Sequence, residues 1–372
     1  MPDVAPLSTD VWRERARTYA DERVRPVAES IDRDDSLPDA VVHGLRVPGF
    51  FGLGVPAEQG GSGGDTRAVA AVLEELSAAS AAVGVLLSVH LSVCTHPILQ
   101  HGSAAQRERF VRPLAAGQWL GAFALTEPGV GSDAAHLTTR YGRSAAGFVL
   151  NGSKMFITNG ARADVVLAFA SREPGTGARG ISAFLLEKGT PGVGNAQKLE
   201  KLGLRGSETN ELVLQDAQVP EANLLGTEGK GLTIALGALT AGRVGIAACA
   251  LGVARSAFDA LREAAVAQPS DGHRSEVARA FTTLSAARAL VERAAAEKDA
   301  GRPYVEAASA AKLFASQAAV CIASSAVDVA GSAGVRSGAA PERLLRDARV
   351  FPIVEGTTEI QELILGRTLV GR

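Results

Sequence analysis

The spacing of apolar and polar residues divides the chain into three stretches of different periodicity. Residues 1–121 and 229–372 carry apolar positions three and four apart, which is the repeat of an amphipathic helix. Residues 122–228 hold short runs rich in Val, Ile, Leu and Phe, separated by Gly, Pro and Asn, a pattern typical of strands. We therefore predict an α+β fold with an N-terminal helical domain, a middle antiparallel β-barrel or sandwich, and a C-terminal four-helix bundle. A cleft where the β domain meets the helical halves is the expected place for a planar ligand.

Individual segments make these predictions specific. The loop 55–65 is rich in turn-forming residues, and Asp65 or Thr66 is expected to cap the helix that follows. One apolar stripe expected to face a core consists of Val69, Val72, Leu73 and Leu76. A second stripe, in the last stretch, consists of Val277, Phe281, Leu284 and Val291. The predicted strands are 148–150, 165–170, 181–186 and 211–214.

Composition argues against several classes of function. The chain has 372 residues, 46% hydrophobic and 21% charged, with a net charge of −2, so nothing draws it to nucleic acid or to a membrane surface. Its N-terminus lacks the basic and apolar regions of a signal peptide, and no apolar run is expected to span a bilayer, so we expect a cytoplasmic protein. Cys94, Cys249 and Cys321 form no C-x-x-C pair and are expected to be free thiols. No metal site is predicted, because His90, His96 and His101 do not have the spacing of metal ligands.

Two polar segments are candidates for ligand binding. The first, Ala-Leu-Thr-Glu-Pro-Gly-Val-Gly-Ser-Asp over 124–133, contains glycines that allow consecutive N–H groups to point at one acceptor-rich ligand. Taken alone, it is more typical of a solvated connection between strands. The second, Phe-Ile-Thr-Asn-Gly over 156–160, places an aromatic ring and a hydroxyl beside an Asn-Gly turn that is typical of a hairpin corner.

Glu355 is the candidate for acid–base chemistry. It follows the apolar run 351–354, so burial would disfavour its charged form and raise its pKa toward the range of a general base. Alternatively, Thr357 and Thr358 begin a helix over 359–369, and the dipole of that helix favours a carboxylate near its start. The residues by themselves leave both interpretations open.

These three segments, in this order and at wide spacing, resemble the acyl-CoA dehydrogenase family. The resemblance extends over nearly the whole chain, including 219–226 and 342–349. It implies an FAD-dependent enzyme in which Glu355 removes the α-proton of an acyl thioester while the β-hydrogen leaves as hydride to flavin N5, giving a 2,3-enoyl thioester. Some members carry the base immediately before the counterpart of Arg243, but Gly242 stands there in this chain, so Glu355 is the only candidate of the two.

The resemblance also implies the residues around the ligands. The ring of Phe156 is expected to flank the flavin, and the hydroxyl of Thr158 to bond its N5. The expected FAD contacts are Phe123, Leu125, Thr126, Gly131, Ser132, Phe156, Ile157, Thr158, Thr357 and Glu359. The expected neighbours of the acyl thioester are Ser132, Arg243 and Gly356.

Partners follow from the same resemblance: an acyl-CoA or acyl-carrier-protein thioester, an electron-transferring flavoprotein, and a homotetramer, with a dimer as the alternative. Three departures from the family pattern bear on them. The segment 260–274 lacks the Arg-x-x-Phe-Gly that clamps the FAD of a neighbouring subunit, and Asp328 stands in place of a Gln. Thr240 stands where short- and medium-chain members have an Asp that contacts the carrier arm of the thioester. The resemblance therefore does not decide between CoA and an acyl carrier protein. Two other functions also stay open: a flavin-dependent monooxygenase or oxidase of the same fold, and a flavin-poor binding or assembly protein.

Overall fold

The three stretches of the sequence fold into three structural parts. The structure is a computed structural model that describes residues 7–371, apart from the side chains of residues 195 and 196. In chain order it contains a helical part, a β-sheet and a second helical part. The helices of the first part are α1 (Thr9–Tyr19), α2 (Ala28–Asp34), α3 (Asp39–Gly44), α4 (Thr66–Ala79), α5 (Ala81–Ser88), α6 (His96–His101), α7 (Ala104–Gln106) and α8 (Arg112–Ala115).

Helix α4 begins where the sequence predicts. The side chain of Asp65 caps it by accepting a hydrogen bond from the Ala68 amide at 2.8 Å. Asp299, from the C-terminal part, accepts hydrogen bonds from two further amides of the first turn, so two carboxylates satisfy this helix start. In the predicted apolar stripe Val69 is half-buried, and the fully buried members are Val72, Leu73 and Leu76.

The middle part is a mixed sheet. Its strands are β1 (Gly121–Ala124), β2 (Arg140–Ser144), β3 (Gly147–Thr158), β4 (Val165–Ser171), β5 (Ile181–Glu187), β6 (Val193–Lys198), β7 (Thr209–Pro220) and β8 (Leu224–Leu225). The order is β6-β7-β3-β2-β4-β5-β8, with β1 paired to β4. The predicted fold class is confirmed with one refinement: β1 and β2 each pair with β4 in parallel, so the sheet is not purely antiparallel.

Strand β4 lies between two cores because its side chains alternate between the two faces of the sheet. On one face, residues that pack against the N-terminal helices are Val165, Leu167 and Phe169. On the other face, residues that pack within the sheet domain are Val166, Ala168 and Ala170. Both faces of β4 are therefore buried away from solvent, which explains why its sequence is an almost unbroken run of apolar residues.

The Asn159-Gly160 turn does not close a hairpin, so that prediction is wrong. Strand β3 pairs with β2 and β7, whereas β4, which follows the turn, pairs with β1, β2 and β5. The Asn159 side chain is buried and donates to the carbonyls of Leu86 and Gly121 at 3.1 Å each. Its amide thus anchors the end of β3 to α5 and to β1, a tertiary role that overrides the local turn preference.

The C-terminal part is built on three long helices. Its members are α9 (Gly231–Ala267), α10 (Asp271–Asp299), α11 (Val305–Ala330), α12 (Ala340–Ala348) and α13 (Thr358–Val370). Helix α9 packs against α10 and α11 and also against α4 and α5, so the bundle draws on both helical parts. In the predicted stripe on α10, Leu284 and Val291 are buried, but Phe281 is 59% exposed and lies beside Phe258 at the surface.

Three helices contradict the expectation that no apolar run is long enough to cross a bilayer. Ala81–His101, Gly231–Ala267 and Val305–Ala333 have that length and apolar composition. The segment Ala81–His101 reaches this length because the π-helical turn Val89–Thr95 joins α5 to α6 without a break. In this fold 89%, 83% and 44% of their most apolar stretches are buried. Helices packed on most sides need apolar residues on most faces, which accounts for the first two.

Candidate active site

Glu355 lies in the turn between α12 and α13, and its side chain points back between the long helices. Both carboxylate oxygens are buried and have no hydrogen-bond partner among the described residues. The φ angles of Glu355 and Gly356 are 52° and 98°, so two consecutive residues adopt left-handed backbone. For a residue with a Cβ this conformation costs on the order of 1–2 kcal/mol. The turn thus presents the carboxylate at an energetic cost, as functional sites often do.

Two cations face this carboxylate. They are Arg243 from α9 and Lys312 from α11. Desolvation raises the pKa of Glu355 to about 8, and the positive charges of Arg243 and Lys312 partly oppose that rise. Burial in turn lowers the pKa of Lys312 to about 8 and lowers that of Arg243. The result is a carboxylate basic enough to accept a proton from carbon and still partly ionised near neutral pH.

Gly242 of α9 lies directly against the Glu355 carboxylate. A Cβ at this position would overlap Glu355 Oε2 and would lie 2.9 Å from the Cγ1 of Val93. Only glycine leaves this space for the carboxylate. A second carboxylate at residue 242 and Glu355 in its present place therefore exclude each other, which supports Glu355 as the base.

Helix α13 does not explain the position of Glu355. Thr357 is its N-cap, with a side chain that accepts from the Ile360 amide at 3.4 Å, and Glu359 is the exposed acidic residue of its first turn. The carboxylate that the helix dipole favours is therefore that of Glu359, while Glu355 directs its side chain toward α9. Of the two interpretations that the sequence left open, the structure favours the base.

The loop 125–133 is held by a buried ion pair that sequence reasoning missed. Lys154 of β3 donates to Glu127 Oε1 at 2.7 Å and to the Leu125 carbonyl at 3.1 Å. Glu127 also accepts hydrogen bonds from Thr138 and Thr139. Burial disfavours the charge on both groups, but the pairing dominates at Glu127 and lowers the pKa of that carboxyl to about 2. No sequence pattern marks Lys154, because a lysine in a strand is expected in solvent.

Several residues predicted to contact FAD leave suitable groups free. Phe156 is 64% exposed, with φ of 60°, at a bulge where β3 slips against β7, and such bulges turn a side chain outward. The amides of Gly131 and Ser132 form no hydrogen bond within residues 7–371, and a Cβ at Gly131 would meet open space. Thr158 is half-buried at the end of β3. An exposed ring, free amides and a hydroxyl fit a planar, acceptor-rich flavin.

The other predicted FAD contacts differ in how accessible they are. Thr126 is half-buried, and its carbonyl already accepts the Met155 amide at 2.8 Å. The side chains of Leu125 and Ile157 are buried, so a contact there depends on their backbone groups. Phe123 is half-buried on β1, with its ring 5.1 Å from that of Phe169. These assignments stay predictions.

One helix connects the two halves of the predicted site. The segment Ala81–His101 receives the Asn159 side chain at Leu86, and the amide of Gly121 donates to His90 Nδ1 at 3.1 Å. On the same helix Val93 lies beside the Glu355 carboxylate, across from Gly242. Burial lowers the pKa of His90 to about 4, so this histidine is a neutral acceptor that fixes the start of β1.

The structure joins some of the predicted thioester neighbours and not others. Gly356 directly follows Glu355, and the charge of Arg243 acts on its carboxylate, whereas Ser132 is exposed and hydrogen-bonds to neither Arg243 nor Gly356 within the described residues. The hydroxyl of Thr240 donates to the Leu236 carbonyl of its own helix at 2.8 Å, so its proton is not free for a hydrogen bond to a ligand.

The segments expected near the FAD phosphates lie at the surface. Asp328 is exposed near the end of α11. Arg274 is paired with Asp271 at 2.7 Å, and Arg262 is exposed on α9. Within the part of the chain that the structure describes, no cluster of three His, Cys, Asp or Glu side chains is placed to hold a metal.

Comparison with known proteins agrees with this geometry. Residues 8–118, 122–217 and 229–370 match the N-terminal, middle and C-terminal domain models of acyl-CoA dehydrogenase. The chain is 44% identical over 369 residues to an acyl-CoA dehydrogenase of Bacillus subtilis, with 97% of each chain covered.

Solved structures give the same result. Butyryl-CoA dehydrogenase from Megasphaera elsdenii has a TM-score of 0.95 and 36% identity, covering 98% of this chain and 99% of that one. A chain in a structure described as the electron transferring flavoprotein of Acidaminococcus fermentans has a TM-score of 0.96 and 35% identity, covering 100% of both. These matches define a flavoprotein oxidoreductase. The chain belongs to the acyl-CoA dehydrogenase family, which confirms the predicted family, fold class and reaction class.

Proposed function

We propose that this protein is an FAD-dependent acyl-CoA dehydrogenase in which Glu355 takes the α-proton of a saturated acyl thioester, giving the 2,3-enoyl product. The observation that carries the assignment to this residue is the carboxylate itself, which is enclosed, has no hydrogen-bond partner among residues 7–371 and faces two cations. FAD, when bound, supplies the acceptor for the hydride that leaves the β-carbon.

The residues of the chain have distinct parts in this reaction. Glu355 accepts the α-proton on a carboxylate oxygen, and its raised pKa makes that transfer less uphill. Phe156 and Thr158 are expected to hold the flavin, and the loop 125–133 to offer its free amides. Enclosure of the carboxylate keeps water from this proton, which limits competing exchange.

A short acyl-CoA is the proposed substrate and an electron-transferring flavoprotein the proposed partner. The similarity to butyryl-CoA dehydrogenase supports the first, and the similarity to a chain from an electron-transferring flavoprotein structure supports the second. The uncharged Thr240, whose hydroxyl bonds its own helix, leaves an acyl carrier protein as the other thioester carrier to test.

We also propose a homotetramer. Large apolar side chains of the C-terminal helices are exposed in the single chain, namely Phe281, Val305, Leu363, Leu369 and Val370. Such exposure is typical of surfaces that associate with another copy. Sedimentation of the purified protein distinguishes a tetramer from a dimer.

The function is tested by the visible spectrum of purified protein and its response to butyryl-CoA without oxygen. We expect a yellow protein whose flavin absorbance falls on addition of thioester. Glu355→Gln should keep the colour and lose the bleaching, because the amide cannot accept the proton. Butyryl-carrier protein added in place of butyryl-CoA identifies the carrier.

Other outcomes would reject the proposal in distinct ways. Normal bleaching of Glu355→Gln would show that the base lies elsewhere. A yellow protein that ignores thioesters but consumes oxygen with a reductase would be an oxygenase or oxidase. A colourless protein that does not take up added FAD would be the non-catalytic homologue.

A further inference from the structure

The side chain of Lys312 is the least expected feature near the site. It projects from α11, is 0% exposed and donates a hydrogen bond from Nζ to the carbonyl of Gly356 at 2.6 Å. It forms no ion pair within the described residues, so an ammonium group is buried with a backbone carbonyl as its partner. Burial of an ammonium without a directly paired carboxylate is unfavourable, and a residue of this kind points to a role beyond packing.

The carbonyl that Lys312 holds belongs to the turn that presents the base. Gly356 follows Glu355, and both have positive φ angles, 98° and 52°. The same carbonyl accepts a second hydrogen bond, from Gln361 Nε2 at 3.0 Å. A strained turn persists only where its surroundings fix it, and these two donors are the polar contacts that fix the Gly356 peptide.

The charges around the carboxylate come from two packed helices and the turn itself. Helix α9 contributes Arg243 and the thiol of Cys249, and helix α11 contributes Lys312. Farther out, Tyr304 faces Arg243, and Glu359 of α13 faces Lys312. Lys312 thus donates a hydrogen bond to the turn that carries Glu355, and its positive charge also acts on the Glu355 carboxylate.

We propose that Lys312 is the positioning residue of the base: its ammonium fixes the 355–356 turn through the Gly356 carbonyl, and its charge favours the ionised form of Glu355. This inference deepens the proposed function and depends on it for its kinetic test. Arg243 supplies a second cation but makes no hydrogen bond to the turn among the described residues, so the two side chains are not interchangeable.

The test compares Lys312→Met, Lys312→Arg and the exposed control Lys188→Met as holoenzymes. The rate of flavin bleaching by butyryl-CoA is measured against pH. In Lys312→Met the acidic limb of the profile should move to higher pH by about 1 unit or more, since removal of a nearby positive charge disfavours the ionised carboxylate and raises its pKa. At pH 7 the rate should fall by about tenfold or more and recover partly at high pH. Lys312→Arg should return the limb toward the wild-type position, and Lys188→Met should leave it unchanged.

A second measurement separates this inference from the proposed function. Infrared difference spectra of wild type against Glu355→Gln report the protonation of Glu355 without turnover, and the same titration is repeated in the Lys312→Met background. An unchanged carboxyl titration, or a rate lowered equally at every pH, overturns the inference. If Lys312→Met does not fold, Lys312→Gln retains a donor without the charge, and an unmoved limb in that variant also overturns it. A wild type that ignores all thioesters rejects the proposed function, while the infrared titration still decides the role of Lys312.

Discussion

At the scale of single residues, the site is assembled from residues placed against their usual preferences. Glu355 and Phe156 adopt left-handed backbone, and Lys154 and Lys312 are fully buried lysines. Gly242 lies inside a long helix, where an alanine would be favoured by about 1 kcal/mol. The glycine and the two lysines are unfavourable choices for folding, and each lies against Glu355, its turn or the loop 125–133. Sites where local preference is overruled in this way are commonly functional.

Gly242→Ala should separate stability from activity. The added methyl group meets the Glu355 carboxylate and the Cγ1 of Val93. The carboxylate is therefore displaced, while the helix propensity that α9 gains offsets the cost of the Val93 contact. We expect the rate of flavin bleaching to fall by about 100-fold, the effect of a small misplacement of a catalytic group, with little change in the melting temperature. Gly237→Ala on the same helix, where a Cβ meets nothing within 4 Å, is the matched control and should keep full activity. Equal activity of the two variants would contradict the assigned position of the base.

The raised pKa of Glu355 also makes stability depend on pH. The folded state keeps the proton up to a pKa of about 8, whereas the ordinary pKa of a glutamate carboxyl, which applies to the unfolded chain, is 4.5. The folded state therefore binds more protons between these values, and wild type loses stability as pH rises through that window, by up to about 1.4 kcal/mol per pH unit. Relative to wild type, Glu355→Gln should be more stabilised at pH 8 than at pH 5.

Urea unfolding of both proteins at the two pH values measures this difference. The exposed variant Glu263→Gln serves as the control for loss of a carboxylate. A stability difference between Glu355→Gln and wild type that does not grow with pH would mean that the carboxyl of Glu355 is solvated in the folded protein.

At the scale of elements, strand β3 organises the part of the site where the flavin is predicted to bind. Its bulge turns Phe156 outward, its end carries Thr158, and its interior sends Lys154 under the loop 125–133. Asn159, just after the strand, ties it to α5 and β1. A single strand thus sets the positions of a ring, a hydroxyl and a loop that lie far apart along the sequence.

Removal of Lys154 should loosen that loop. Lys154→Met leaves Glu127 buried without its cation and frees the Leu125 carbonyl, at a cost of about 3–5 kcal/mol in unfolding free energy. The affinity for FAD should fall as well, because the loop amides lose their fixed direction. Urea unfolding and FAD titration measure the two effects.

A second substitution checks the cause of the Lys154→Met effect. Adding Glu127→Gln should recover part of the lost stability, since it removes the unpaired charge. If the double variant is less stable than Lys154→Met, the ion pair is not what holds the loop. Lys188→Met, at an exposed lysine, should change neither quantity.

At the scale of the whole molecule, a charged cluster joins the two helical parts. Glu74 and Glu75 are buried on α4. Around them lie four arginines from α1, α9 and α10, namely Arg13, Arg17, Arg255 and Arg288. Burial alone would raise the pKa of Glu74, but the hydrogen bonds and charge of Arg288 outweigh it and lower that pKa. The cluster links helices of both parts through residues far apart in the sequence: Glu74 of α4 and Arg288 of α10 are more than 200 residues apart.

Glu74→Gln should therefore destabilise the whole chain. Loss of one buried carboxylate leaves Arg288 without its partner and leaves Arg13 and Arg255 with Glu75 alone, which costs about 3–5 kcal/mol. Because a lowered pKa contributes stability that is present above the unfolded value and is lost as pH falls, wild type should approach the variant below about pH 4.5. Calorimetry at pH 7 and pH 4 measures both effects. Glu14→Gln, at an exposed pair with Arg17, should stay within about 0.5 kcal/mol of wild type, and a similar result for Glu74→Gln would contradict the role of the cluster.

The sequence by itself determined the order of helical, strand and helical parts, a helix cap at Asp65 or Thr66, and the family. Hydrophobic periodicity follows from which face of an element is buried, and capping and turn residues act over a few positions, so both are visible in one dimension. The segments 124–133, 156–160 and Glu355 were identified as site candidates through their resemblance to the acyl-CoA dehydrogenase family, because the residues alone left their roles open. Most inferences that need only local spacing held. The exceptions are the burial of Phe281, the hairpin corner at Asn159-Gly160, and the expectation that no apolar run is long enough to cross a bilayer.

Only the tertiary structure shows where the Glu355 side chain points. Its two interpretations differ in whether the side chain faces a helix start or a gap beside Gly242, and that depends on Gly242 of α9, more than 100 residues earlier. The roles of Lys312, Lys154 and Asn159 were invisible for the same reason: each side chain acts through a partner distant in the sequence. Burial and charge proximity depend on three-dimensional packing, so the ionisation of the base is a property of the fold and not of the motif that contains it.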